Sequence, residues 1–306
     1  MNGPTYGHDT QDDDGQHEYR KDGDEHDVTL GGVTASRNSV SMTTLLPASP
    51  ISVVDTLRGD RAARPLANTT SAGGLRAQLE DGIYEIMGKR NSSAPLVVRA
   101  SSLRQASHTT DVSLSSLGRI RGVLINQLLR LHCVGESIDH AFDEAVEAWR
   151  AEAGASDLIG RLEQMDDDER ARLATDVSAH SITLTRAFGS LASNWMPRSA
   201  VRATQRLGAG NVVLRDMVDL MIGTNSGAWA SVVLLDVTTS PLGEGAERAM
   251  RYHALVETLR TSIVPLRTSA FSTATGDLWA LDVDHELLSR SANEVLEVIN
   301  ELWMSQ

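Results

Sequence analysis

Cysteine is almost missing from this chain: Cys133 is the single one in 306 residues. That excludes an internal disulfide, a four-cysteine zinc site and a cysteine-ligated iron–sulfur cluster. Within "LLRLHCVG" it reads as a small apolar packing residue. Aromatic residues are scarce at 4%, so the core must be built mostly from Leu, Val, Ala and Ile. No apolar run approaches 18 residues, so no membrane span is expected. The N-terminus is polar and acidic with no apolar stretch behind it, which predicts no signal peptide and a cytoplasmic location. Lysine is rare beside arginine, a bias that a GC-rich genome produces and that also supplies bidentate phosphate forks. The sequence has no G-x-S-x-G, no G-x-x-x-x-G-K-S and no G-x-G-x-x-G between a strand and a helix. The G-x-G at 208–210 is followed by a strand pattern and reads as a turn. The nine histidines are scattered, with no H-x-x-x-H pair.

What is present begins with acid. Net charge is −13. Residues 1–30 carry nine acids against Arg20 and Lys21, a net −7 that leaves only −6 for the other 276 residues. This balance argues against a protein that coats nucleic acid through bulk charge, though a local basic groove stays compatible with it. Residues 1–45 have few apolar side chains and read as a disordered acidic tail, in which His8, His17 and His26 sit as solvated groups. Residues 46–112 form an accessory segment. In it "GGLRAQLEDGIYEIMG" has helical spacing closed by Gly88, and "APLVVRASSLRQ" reads as a strand running into a helix.

Residues 113–306 form the core. "LSSLGRIRGVLINQLLRLHCVG" is an amphipathic helix, and 137–195 is a helical insertion. Ser137 is the expected N-cap of its first helix. Asp166, Asp167 and Asp168 look like metal-binding material but fit better as the acidic start of a helix. After Pro197 the period changes. "SAVRATQRL", "NVVLRDMVDLMIG" and "WASVVLLDVTT" are strand-like, the last two joined by "GTNSGA" as a hairpin. An amphipathic helix follows over "EGAERAMRYHALVETLRTS". Then come two strands around Gly276 and a closing helix in which Asp284 is the expected cap. Helix, three strands, helix, two strands, helix is an α/β pattern with a mixed sheet.

Two acids stand out, Asp219 in "MVDLM" and Asp236 in "LLDVT". An unpaired charge inside such apolar runs costs several kcal/mol, about 2–7 even for a neutral polar group. A hairpin would bring the two runs side by side. Two converging carboxylates make an oxygen-rich pocket suited to Mg²⁺ or Mn²⁺. Strand alternation points Thr238 the same way as Asp236.

The α-β-β-β-α-β order with "VDLMIG…LLDVTT" resembles the PD-(D/E)XK nuclease superfamily, in particular its RecB-like exonuclease branch, over roughly Ser115 to Trp303. The resemblance implies a restriction-endonuclease-like mixed sheet flanked by helices. It also implies a metal-dependent DNA nuclease, with Asp219 and Asp236 as the metal aspartates. Thr238 stands where that family has its catalytic lysine. Asn126 of "RGVLIN" replaces the metal-ligating histidine of "G-x-x-x-H". Tyr252 of "RYHAL" matches the tyrosine of the following helix, and Arg248 stands at the position usually held by glutamine. Loss of the lysine and the histidine opens a second reading, a catalytically inactive nucleic-acid-binding or structural subunit beside a helicase. A basic group from elsewhere would restore the first, with Arg248, Arg251 and His253 as candidates. A third reading is an unrelated α/β interaction protein whose acidic tail is its contact segment.

Overall fold

A computed structural model describes residues 57, 64–65, 69–88, 94–105, 116–153, 157–189, 191, 195–224, 229–230 and 232–305. The acidic tail expected over 1–45 lies outside them. The described chain is mixed α/β, with eight helices and a six-stranded mixed sheet flanked by helices.

Two short strands, β1 (Arg64–Pro65) and β5 (Trp229–Ala230), pair with each other apart from the main sheet. The main sheet holds β2 (Leu96–Val98), β3 (Arg198–Leu207), β4 (Val212–Ile222), β6 (Val233–Thr238), β7 (Arg267–Ser272) and β8 (Leu278–Asp282). The helices are α1 (Thr69–Met87), α2 (Ala100–Gln105), α3 (Ser116–Cys133), α4 (Ala141–Ala153), α5 (Asp157–Glu163), α6 (Asp167–Phe188), α7 (Glu244–Thr261) and α8 (His285–Met304). From α3 onward the order of the main-sheet strands and their helices is helix, three strands, helix, two strands, helix, with α4–α6 inserted ahead of β3. The strand β2 belongs to the same sheet, so the residues before 113 help to build it.

Helix ends follow local chemistry. Asp166 caps α6 by accepting from Glu169 N at 2.7 Å, and Asp284 caps α8 by accepting from Leu287 N at 2.8 Å. Gly88 ends α1 at φ +59°, a conformation that costs glycine little. Ser137 is not a cap. The helix starts at Ala141, and Glu144 reaches back to accept from Asp139 N and His140 N. A carboxylate in the first turn satisfies orphan donors as well as a hydroxyl ahead of it does.

The core falls into two main clusters. Leu220, Ile222, Val233, Leu235 and Val237 of the sheet pack with α3–α6. Val212 and Leu214 pack with α1, α7 and α8. Cys133 packs against the first cluster, and burial pushes its thiol up to about 11. Among the described residues, no helix is long and apolar enough to cross a membrane.

The functional consequence of the fold lies in β4. Its partner β3 runs along one edge in antiparallel register, from Leu207 opposite Val212 to Arg198 opposite Met221. The other edge is shared: β2 takes Val212–Leu214 in parallel, and β6 takes Leu220–Ile222 antiparallel. Residues 215–219 therefore face a gap where β2 has ended and β6 has not begun.

Candidate active site

Asp216 and Asp219 sit on the part of β4 that borders this gap. Three residues apart on an ideal strand, they would point to opposite faces. Ala200, between the paired residues Ser199–Leu220 and Val201–Val218, has φ +51°, uncommon for a residue with a Cβ. The strand pair is distorted opposite Asp219, and both acids end up buried at the same cleft. Asp219 turns into the gap: Asn126 Nδ2 of α3 donates to its Oδ1 at 3.1 Å, and Val237 N of β6 donates to its Oδ2 at 2.8 Å. Asp236 alternates with Leu235 and Val237, which pack toward α3–α6, so its carboxyl goes to the α7 side.

The two carboxyls interact strongly. Burial first, then the Asp236 charge and a hydrogen bond with Asp236, hold Asp219 well above the usual carboxylate range. Burial also opposes the charge on Asp236, but the Arg104 guanidinium and then His253 outweigh it and hold that group below its usual range. Within the pair, the proton is held more firmly on Asp219 than on Asp236. Arg104 reaches Asp236 Oδ2 from α2 and forms an ion pair with it. Gly245 permits this approach: a Cβ there would stand 3.1 Å from the Arg104 carbonyl, so α2 lies directly on the first turn of α7.

Behind the carboxylates lies a third acid. Asp216 holds His253 Nδ1 through Oδ1 at 2.8 Å and Oδ2 at 3.0 Å, and both residues are buried. Burial disfavours the imidazolium, but the Asp216 charge and hydrogen bond, helped by Asp236, leave the His253 pKa raised. Its Nε2 is 3.9 Å from Asp236 Oδ1 and has no hydrogen-bond partner among the described residues. Asn126 Oδ1 is likewise buried without a partner.

These groups line a cleft of about 610 Å³ edged by Arg99, Arg104, Arg202 and Arg215. A smaller cavity of about 310 Å³ adjoins it, sharing Asn126, Arg202, Met217 and Asp219. Among the described residues no three His, Cys, Asp or Glu side chains are already gathered as a metal cage. The donor set nevertheless fits a hard divalent cation. Two buried carboxyls compete for one negative charge, and an amide oxygen beside them lacks a partner. Mg²⁺-type ions are commonly held by one or two carboxylates, with water and phosphate oxygens completing the shell.

Of the residues singled out from sequence, Asp219, Asp236 and Asn126 come together. Thr238 does not line the cleft: its hydroxyl accepts from Ser240 N at 3.2 Å, and its carbonyl takes Thr273 N and Oγ1. Tyr252 is fully buried beneath the site, its hydroxyl 2.9 Å from the Val98 carbonyl and 3.0 Å from that of Arg215. It ties β2 to β4 where the two strands part. Arg248 faces Glu294 and Glu297 of α8, and Arg251 is buried against Glu247 and Glu294. Of the three candidate basic groups on α7, His253 alone lines the cleft.

No protein-family model matches the chain, and no curated protein matches it. One solved structure, described as the crystal structure of SSO0001, is similar over 72% of this chain and 84% of its own, at 8% identity and a TM-score of 0.28.

Proposed function

We propose that the cleft is the hydrolytic site of a metal-dependent DNA nuclease of the PD-(D/E)XK type, acting in the cytoplasm. The observation that carries this reading is the pairing of Asp219 with Asp236 where the sheet splits, in a cleft edged by four arginines. Asp219 and Asp236 would hold the cation, Mg²⁺ or Mn²⁺, with Asn126 Oδ1 as a neutral oxygen donor. When bound, the cation supplies charge neutralisation and an activated water. The chain's own residues do the rest. Arg104 places a permanent positive charge at Asp236, the role left open by Thr238. Arg99, Arg202 and Arg215 present guanidinium groups to the flanking phosphates, a geometry arginine serves better than lysine. Asn126 and the Val237 amide fix the Asp219 carboxyl.

Purified protein incubated with linear single- and double-stranded DNA tests this. Cleavage is expected with Mg²⁺ or Mn²⁺ and none with EDTA. Arg104→Ala is expected to lower kcat by about 10²–10³, the usual cost of removing one electrostatic stabiliser. Wild-type rates in that variant would remove Arg104 from the account.

A second reading is favoured by one observation: Thr238, at the position where the resembled family has its lysine, spends its hydroxyl on Ser240 N and does not line the cleft. In it the chain binds nucleic acid without cutting, as a subunit beside a helicase. Salt-dependent DNA binding with no cleavage in either metal distinguishes it.

A further inference from the structure

We propose that His253 Nε2 is itself a ligand of the cation, oriented by Asp216, and that the site therefore selects Mn²⁺ over Mg²⁺. This rests on the metal-dependent reading above and adds a nitrogen donor to it.

Four observations carry it. First, both oxygens of Asp216 lie within hydrogen-bond distance of His253 Nδ1, at 2.8 and 3.0 Å. A carboxylate that fixes one ring nitrogen is the usual support of a metal-ligating histidine, because it sets the tautomer and aims the other nitrogen. Second, that other nitrogen has no hydrogen-bond partner among the described residues, although the residue is only 1% exposed. A buried ring nitrogen without a partner points to a group supplied from outside. Third, Nε2 stands 3.9 Å from Asp236 Oδ1. Two donors each about 2.1 Å from one ion are separated by about 3.0 Å at a right angle and about 4.2 Å when opposite. The observed gap lies between these limits, so one ion can reach both atoms. Fourth, Arg104 takes the other oxygen of Asp236, Oδ2, and leaves Oδ1 facing the imidazole.

Two donor atoms are less than a completed cage, consistent with the absence of a preformed three-residue group among the described residues. The remaining positions belong to Asp219, water and phosphate oxygens. Selectivity follows from the donor type. Mg²⁺ favours an all-oxygen shell at strict geometry, whereas Mn²⁺, a transition-metal ion, accepts an imidazole nitrogen more readily.

The test uses the full chain and the metals alone. Mn²⁺ affinity is measured by electron paramagnetic resonance, with Mg²⁺ as competitor. Nitrogen coupling to the bound Mn²⁺ is read by electron spin echo modulation. Wild type is expected to show one Mn²⁺ with histidine nitrogen coupling that Mg²⁺ displaces poorly. His253→Gln is expected to lose the coupling and lower Mn²⁺ affinity about 10–100-fold; Asp216→Asn lowers it in the same range. The wild-type spectrum decides the matter even if a variant fails to fold. Bound Mn²⁺ without nitrogen coupling, coupling that survives in His253→Gln, or no Mn²⁺ binding overturns the proposal. Coupling from His253 in a protein that leaves DNA intact keeps the ligand and removes the nuclease reading. Cleavage by a protein without the coupling does the reverse.

Discussion

Replacing Asp219 by asparagine should make the protein more stable while it destroys the site. In the wild type this carboxyl is buried beside Asp236, and its pKa is held well above the ordinary range by burial and by that neighbouring charge. A group whose folded pKa is raised stabilises the fold below its unfolded pKa, and that contribution is lost as pH rises through the folded value. Asparagine stays neutral throughout, so Asp219→Asn escapes the loss. The local geometry accepts the change. The new side-chain oxygen can take the Val237 amide, now 2.8 Å from Asp219 Oδ2. The new amide group faces Asn126, which by turning over presents its Oδ1, buried and unpartnered in the wild type. Relief of this kind at a functional site is worth about 0.5–2 kcal/mol. For a chain of this size that is roughly 2–6 °C in Tm. Scanning fluorimetry in EDTA at pH 5 and pH 8 reads it, and the variant's advantage should be larger at pH 8. A variant that melts at or below wild type at pH 8, or whose advantage shrinks as pH rises, refutes the like-charge account of the pair.

Other outcomes follow from the packing around the cleft. Tyr252→Phe should cost about 1–2 kcal/mol by leaving buried carbonyls on β2 and β4 without their donor. Thermal melts measure that loss, and kcat at a temperature where the variant is folded should stay within threefold of wild type. Arg251→Ala leaves Glu294 buried at the α7–α8 interface with only longer contacts to Arg248 and Arg290. It should cost about 3 kcal/mol, the lower end for breaking a buried pair, as read by urea unfolding. Gly245→Ala pushes a Cβ against the Arg104 backbone. A stability loss of about 1–3 kcal/mol and a fall in cleavage through displaced Arg104 are expected, although residue 245 lies outside the cleft.

Much of this arrangement is legible in the sequence because it is local. Turn residues and apolar runs announce the β4–β6 hairpin, and Asp219 and Asp236 interrupt those runs visibly. Asn126 is found through the resemblance, as the residue at the histidine position of G-x-x-x-H. Asp216 is hidden because strict two-residue alternation sends it to the face opposite Asp219. The left-handed Ala200, which locally distorts that strand pair, carries no glycine to mark it. Arg104 is hidden for a different reason. It arrives from a helix 132 residues upstream of its partner, and only tertiary packing across Gly245 brings it there. Thr238 shows the converse limit. Its alternation with Asp236 is right as a pattern, yet the strand ends at that residue and its hydroxyl is spent on the turn to Ser240.

The central claim, that Asp219 and Asp236 form one hydrolytic site, is tested most directly by the cleavage rate of linear DNA in Mn²⁺ and in Mg²⁺ by wild type and Asp236→Asn. The account predicts metal-dependent cleavage by wild type and a loss of at least about 10² in the variant. Cleavage that is unchanged in Asp236→Asn, or a wild type inert in both metals, would contradict it.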